Sequence, residues 1–181
     1  MLIRPALASD APGIAAVHVR SWQTAYRGLM PQEVLDGLSI SQREEGWRRI
    51  LPTSADETPA PASESAEPRA RTIVADDDGR IAGWASYGDP REEAPSGTGE
   101  LWGIYADPDH WSRGVGHALI TAVEEAFRAD GRRRAYLWVL AGNDRAANFY
   151  ERHGWIEDGG TKVDERPGLV LHERRRVIAL A

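Results

Sequence analysis

The chain is expected to fold as a mixed α/β domain around a partly antiparallel sheet. Three stretches carry that expectation. Residues Leu101 to Phe127 read as a strand, a glycine-rich turn and an amphipathic helix. Arg71 to Ala75 and Ile81 to Tyr87 are strand-like runs joined by Asp76-Asp77-Asp78-Gly79, a turn sequence. Ala135 to Leu140 is a nearly continuous apolar run, the pattern of a strand buried on both faces.

Taken in order, Leu2 to Ala6 reads as a short first strand. Ser9 or Asp10 can cap the helix that follows, with Pro12 in its first turn. Ile14, Val17, Ser21, Trp22 and Ala25 recur at helical spacing, and the helix should stop near Gly28. Pro31 to Leu38 suggests a second short helix, and Ser39 or Ser41 can cap a third that runs to Leu51. From Pro52 to Pro68 the composition shifts to Pro, Ala, Ser, Thr and Glu, which cannot bury much surface. This predicts a mobile insertion at 52–70 inside a single domain spanning 1–181, because the short helical segment before it has little core of its own.

After the paired strands, Pro90 to Gly97 reads as loop and Glu100 to Ala106 as the central strand. Gly114 to Ala129 shows an apolar stripe at Val115, Leu119, Val123, Ala126 and Phe127. Asn143 or Asp144 caps a short helix that ends at Gly154. Gly168 to Val177 alternates apolar and charged residues and closes the sheet. The arginine triplets 132–134 and 174–176 are expected to be solvated turn or strand-end residues.

Composition narrows the function. A chain of 181 residues suits one full core. No apolar run is long enough to span a membrane, and the N-terminus lacks the pattern of a signal peptide. The absence of cysteine removes disulfides, thiolate nucleophiles and thiolate metal sites. These features fit a cytoplasmic protein. A net charge of −6 argues against a nucleic-acid binder. The five histidines show no metal-ligand spacing, so no metal is expected.

The turn from Asp107 to His117 contains Gly114-Val115-Gly116 immediately before a helix. Glycines let a backbone approach a ligand closely, and a helix N-terminus offers unpaired N–H groups and positive dipole charge. This combination suits a phosphate or pyrophosphate. The turn is not a P-loop, because no Lys-Ser or Lys-Thr follows it, and Leu119 spoils a dinucleotide fingerprint.

Trp111-Ser112-Arg113-Gly114-Val115-Gly116 resembles the [Q/R]-x-x-G-x-[G/A] pyrophosphate loop of the GNAT acetyltransferase family, whose members bind acetyl-CoA. Asn143 to Trp155 is similar to that family's second signature, N-x-x-A-x-x-F-Y-x-x-x-G-[F/W], and Leu101 to Pro108 resembles the strand before the loop. The resemblance covers roughly residues 72 to 158. It departs at Trp111, where the family usually has Gln or Arg.

The resemblance implies a mostly antiparallel central sheet flanked by helices, with two strands splayed at the cofactor. It also implies transfer of an acetyl group from acetyl-CoA to a primary amine through a ternary complex. The N–H groups of Arg113, Gly114, Val115, Gly116, His117 and Ala118 would face the pyrophosphate, with Trp111 and Ser112 beside them. A backbone N–H of Ile104, Tyr105 or Ala106 would polarise the acetyl carbonyl, at a bulge that Gly103 permits. Tyr150 would protonate the leaving thiolate, with Phe149 beside it, and Asn143 would bond the pantetheine arm.

Glu100 is the candidate base, acting directly or through water, because strand alternation puts it on one face with Trp102 and Ile104. Trp22 and Tyr26, on one helical face with His18, are the candidate acceptor contacts. The expected partner is a small-molecule or peptide amine, with no nucleic acid and no membrane, and the sequence leaves a homodimer open. The alternatives are a non-catalytic CoA-binding module and a binder of another nucleotide.

Overall fold

The computed structural model describes residues 1–54, 70–166 and 168–180. The predicted insertion at 52–70 falls almost wholly outside them. The described elements are β1 (Leu2–Pro5), α1 (Ala11–Ala25), α2 (Gln32–Asp36), α3 (Ile40–Ile50), β2 (Ala70–Asp77), β3 (Arg80–Gly88), β4 (Thr98–Ala106), α4 (Val115–Ala129), β5 (Arg134–Leu140), α5 (Asp144–Arg152), β6 (Ile156–Arg166) and β7 (Leu169–Ala179). They form a seven-stranded sheet in the order β1-β2-β3-β4-β5-β7-β6. Every pairing is antiparallel except β4 with β5.

The β2–β3 hairpin is tighter than its four turn-forming residues suggest. Only Asp78 and Gly79 leave the ladder, both left-handed at φ 52 and 86. Two such residues match the twist of the strands they join. The Asp76 carboxylate accepts the Gly79 N–H at 2.7 Å and fixes the turn.

At α1 the predicted cap needs correction. Asp10 occupies the capping position without making the capping bond. Its carboxylate is taken by Arg4 at 2.7 and 2.8 Å and by the Leu7 N–H at 2.9 Å. Arg4 also reaches Asp76, so one guanidinium ties β1 to the helix entry and the neighbouring strand. At α3 the cap is Ser39, which accepts from the Gln42 N–H.

Helices cover both faces of the sheet. On one, α4 buries Val115, Leu119, Ile120, Val123 and Phe127 against Leu101, Leu137 and Trp155. It sits close because two strand positions lack side chains. A Cβ on Gly83 would lie 2.7 Å from Val115, and one on Gly99 would lie 2.5 Å from Phe127. On the other face, Ile14 and Val17 of α1 and Trp47 of α3 pack on Val74, Ile81 and Trp84.

The sequence signals miss β6. Glu157, Asp158, Gly159 and Gly160 look like turn residues, and the β6–β7 register shifts between Glu157 and Thr161. An edge strand tolerates this because it has one neighbour and two wet sides. The 174–176 arginines are also not strand ends. They lie inside β7, and Arg176 is buried, donating to the Trp155 carbonyl at 3.2 Å.

Two irregularities in β4 open the sheet. The parallel ladder with β5 runs only from Thr98↔Arg134 to Leu101↔Leu137, although both strands continue beyond it. Leu101 pairs with Tyr87 and Gly103 with Ser86, which leaves Trp102 as an extra residue in a bulge. The bulge reverses the side-chain alternation. Leu101, Ile104 and Ala106 pack on the α4 face, whereas Tyr105 joins the cluster of α1 and Trp84. Glu100 and Ile104 are therefore not on one face, contrary to simple alternation.

Candidate active site

Where β4 and β5 part, a cavity of about 530 Å³ runs through the sheet from the α4 turn to α1 and β7. Strand geometry decides what β4 offers it. The Asp107 N–H donates to Ala82 at 2.8 Å, continuing the β3–β4 ladder. Residues of an antiparallel ladder alternately point their N–H and C=O at one neighbour. Tyr105 therefore bonds toward β3, and the N–H groups of Ile104 and Ala106 turn to the open side. The Ala106 carbonyl confirms this direction, since the Trp111 indole donates to it at 2.9 Å.

The α4 turn forms the cavity's other lip. Ser112 and Gly114 are left-handed, at φ 60 and 86. Gly114 precedes the first helical residue, and nothing lies within 4 Å of where its Cβ would be. Helix geometry leaves the N–H groups of Val115, Gly116 and His117 without intrahelical partners. The end groups of the expected 113–118 set differ. The Arg113 N–H bonds to the His110 carbonyl and the Ala118 N–H to the Gly114 carbonyl. The side chain of Val115 turns into the core. Gly116 clears space for Phe149, whose ring would lie 3.1 Å from an added Cβ.

Trp111 does more than fill the position usually held by Gln or Arg. Besides holding Ala106, its ring lies under the Arg145 guanidinium at 3.1 Å. Arg145 comes from α5, makes no ion pair with any described residue and lines the cavity, and burial lowers its pKa. A cation thus stands beside the turn, delivered from another element. The second signature shows no cue for this, because the pairing depends on tertiary proximity.

Asn143 is the α5 cap, accepting from the Ala146 N–H at 3.1 Å, and it borders the cavity. Nearly two helical turns on, Phe149 and Tyr150 also border it. Tyr150 is buried, and desolvation pushes its phenol well above the ordinary value. Across the gap, the Tyr26 and Tyr105 hydroxyls lie 3.2 Å apart, and burial raises both. Trp22 packs edge-on against Tyr26 at 5.2 Å. Of the residues singled out in the sequence, Trp22, Tyr26, Ile104, Tyr105 and Ala106 meet Trp111, Ser112, Gly114, Gly116 and His117 around one cavity.

Glu100 does not join them. It is 1% exposed, and its oxygens are occupied by the Arg91 side chain at 2.5 and 3.0 Å, the Arg91 N–H at 2.8 Å and the Tyr136 hydroxyl at 3.0 Å. A carboxylate this saturated anchors the loop before β4 and has no lone pair free for an incoming proton. The carboxylates that do line the cavity are Asp164 of β6 and Glu173 of β7. Both lie in a hairpin whose approach to the cavity depends on strand order, so local sequence gives no sign of it.

His18 lies behind Tyr105 and is stacked on it, packed on Trp22 and Trp84. Burial, helped by Arg43, pushes its pKa down to about 3. An unfolded histidine binds its proton near 6.5, so the unfolded chain gains a proton before the folded one does. Stability should therefore fall as pH drops from about 6.5 toward 3, by at most about 1.4 kcal/mol per unit from this residue. Urea unfolding at pH 7, 6 and 5 should show a steeper loss in the wild type than in His18→Phe. Equal slopes would mean that His18 protonates freely in the fold.

Comparison with known proteins agrees with this architecture. The profile described as "Acetyltransferase (GNAT) family" matches residues 38–155. The uncharacterized N-acetyltransferase YuaI of Bacillus subtilis is 28% identical over 83% of this chain and 78% of its own length. Of five other matched relatives, the chain spans only 28% to 43% of their length. The crystal structure of ribosomal-protein-alanine N-acetyltransferase from Brucella melitensis superposes with a TM-score of 0.68, at 21% identity and covering 99% of this chain and 100% of that one. PaiA N-acetyltransferase from Thermoplasma acidophilum, in complex with coenzyme A, gives 0.64 at 18% identity over 96% of each chain. At these identities the structural likeness is one of fold. The profile match extends over most of the chain, and on that ground the protein is an acyltransferase belonging to the GNAT family.

Proposed function

We propose that the protein transfers the acetyl group of acetyl-CoA to a primary amine, on a small molecule or a protein, by direct attack within this cavity. The observation that carries the reading is the parting of β4 from β5 between the α4 turn and Tyr150. It gives one cavity an anion cradle, a backbone donor and a phenol.

The cradle fits a pyrophosphate. Gly114 leaves open space where a side chain would stand, the first N–H groups of α4 have no intrahelical partners, and Arg145 supplies a positive charge. Charge-assisted hydrogen bonds of this kind are about twice as strong as neutral ones. The side-chain amide of Asn143, whose oxygen caps α5, is the group assigned to the pantetheine arm.

The Ile104 N–H is the donor assigned to the acetyl carbonyl, where it would meet negative charge as the amine adds. Tyr150 is the group assigned to the departing sulfur. An ordinary phenol titrates about 1.5 units above a thiol. Burial disfavours both anions, so it raises both values together and leaves a modest gap. The chain has no cysteine, in keeping with a mechanism that forms no acyl-enzyme.

The test is to incubate the protein with acetyl-CoA and a panel of primary amines, following thiol release and the mass of the amine. At least one amine should gain one acetyl group per thiol released. Binding of acetyl-CoA with no amine acetylated would overturn the catalytic reading and favour a CoA-binding module.

A further inference from the structure

We infer that Glu173 holds the ammonium group of the acceptor and takes its proton, and that the acceptor is a primary amine with no carboxylate beside it. This inference rests on the acetyl-transfer reading above and deepens it.

Glu173 stands opposite Leu140, at the end of β5 beyond its separation from β4. It lines the cavity together with Tyr26 and Leu171, on the side away from α4. That is the side from which an amine must come if acetyl-CoA occupies the α4 turn. The residue is 19% exposed, so it is sheltered yet reachable.

The charges around it are largely committed elsewhere. Arg91 is held by Glu100 and lies over the Trp102 ring. Lys162 is shared between two carboxylates, 3.1 Å from Glu92 and 3.5 Å from Glu173, so its hold on Glu173 is the longer of the two, and its Nζ lies over the Trp138 ring. Arg175, two residues along β7, pairs with Asp158. No described residue donates a hydrogen bond shorter than 3.5 Å to Glu173, and each of these cations already holds a carboxylate of the protein, which disfavours it as a partner for a carboxylate on the acceptor.

The groups facing Glu173 are Lys162 and Asp164 from β6, Arg91 from the loop before β4, Tyr26 just after α1 and Tyr105 from β4. Burial is foremost in raising its carboxyl, Asp164 adds to this, and Lys162 and Arg91 oppose it. A carboxylate made more basic in this way is better matched to accepting a proton from an amine.

The proton balance is simple. An ammonium R–NH3⁺ gives one proton to the Glu173 carboxylate, and the freed lone pair bonds to the acetyl carbon. The C–S bond breaks, and its electron pair leaves on sulfur. The remaining surplus proton on nitrogen goes to the thiolate by way of Tyr150. Glu173 returns its proton to solvent. The sum is R–NH3⁺ plus acetyl thioester giving amide, thiol and one proton.

The experiment compares wild type, Glu173→Gln and Glu173→Asp on butylamine, phenethylamine and spermidine, with phenylalanine as the carboxylate-bearing match to phenethylamine. Calorimetry should show the same acetyl-CoA affinity in all three proteins. For the best amine, kcat/KM in Glu173→Gln should fall about 100-fold or more near neutral pH. Wild type should show a plateau between the Glu173 pKa and that of the amine, because it binds and deprotonates the cation.

Glu173→Gln must wait for free amine, so its kcat/KM should fall tenfold per pH unit below the amine pKa. Glu173→Asp should restore part of the plateau, which a merely structural carboxylate would not do. Phenylalanine should be the poorer substrate of its pair. Wild-type rates and profile in Glu173→Gln would overturn the assignment and leave acetyl transfer intact. Preference for phenylalanine would overturn the acceptor class. Failure of wild type to acetylate any amine despite bound acetyl-CoA would overturn acetyl transfer and this assignment together.

Discussion

Tyr150→Phe is expected to lower kcat by about 10²- to 10⁴-fold, the range typical of general acid–base catalysis, with acetyl-CoA affinity unchanged. The substitution removes one oxygen and keeps the ring, so packing against Phe149 and Trp155 survives. The Tyr150 hydroxyl makes no hydrogen bond to another described residue, so its loss orphans no partner. Melting temperature should therefore hold within a few degrees. Measuring kcat, acetyl-CoA Kd and melting temperature on the one variant separates chemistry from structure. Full turnover with a good acceptor would remove Tyr150 from the mechanism and make water the donor.

Gly114→Val should raise the acetyl-CoA Kd at least 100-fold. Two effects act together. A β-branched residue resists φ 86, so the turn into α4 must distort. Its side chain would also project into the space that a pyrophosphate would fill. Stability should fall by only about 1–2 kcal/mol, the cost of a left-handed non-glycine residue.

Gly116→Val reaches the same end differently. It drives the Phe149 ring off the helix and costs more stability. Calorimetry finding wild-type affinity in both variants would place the cofactor elsewhere. Affinity lost in Gly116→Val alone would point to Phe149 rather than the turn.

What could be read from the chain was local chemistry. Gly114 before a helix and Asn143 as a cap each state their geometry within a few residues and lie where expected, whereas the Asp76-Asp77-Asp78-Gly79 turn narrows to its last two residues. The sequence shows Trp111 only as a departure from Gln or Arg. In the fold its ring carries Arg145, which crosses from α5 to lie on it.

Glu100 lies away from the cavity for a reason no local pattern holds. The bulge at Trp102 reversed its face, and Arg91 and Tyr136 closed over it. Glu173 was invisible because a charged residue in an alternating strand is ordinarily solvated. Only the order β5-β7-β6 brings it to the cavity. The missed strand β6 follows the same rule, since its edge position relaxes the hydrophobic pattern on which strand recognition depends.

The central claim is that an amine attacks acetyl-CoA directly while both occupy the cavity that opens between β4 and β5. The most direct test is initial-rate kinetics of thiol release with acetyl-CoA and amine varied together. Direct attack requires a ternary complex, so double-reciprocal plots should intersect, and no thiol should appear without amine. Parallel lines, with a burst of thiol before any amine is added, would contradict the account and demand an acetylated enzyme.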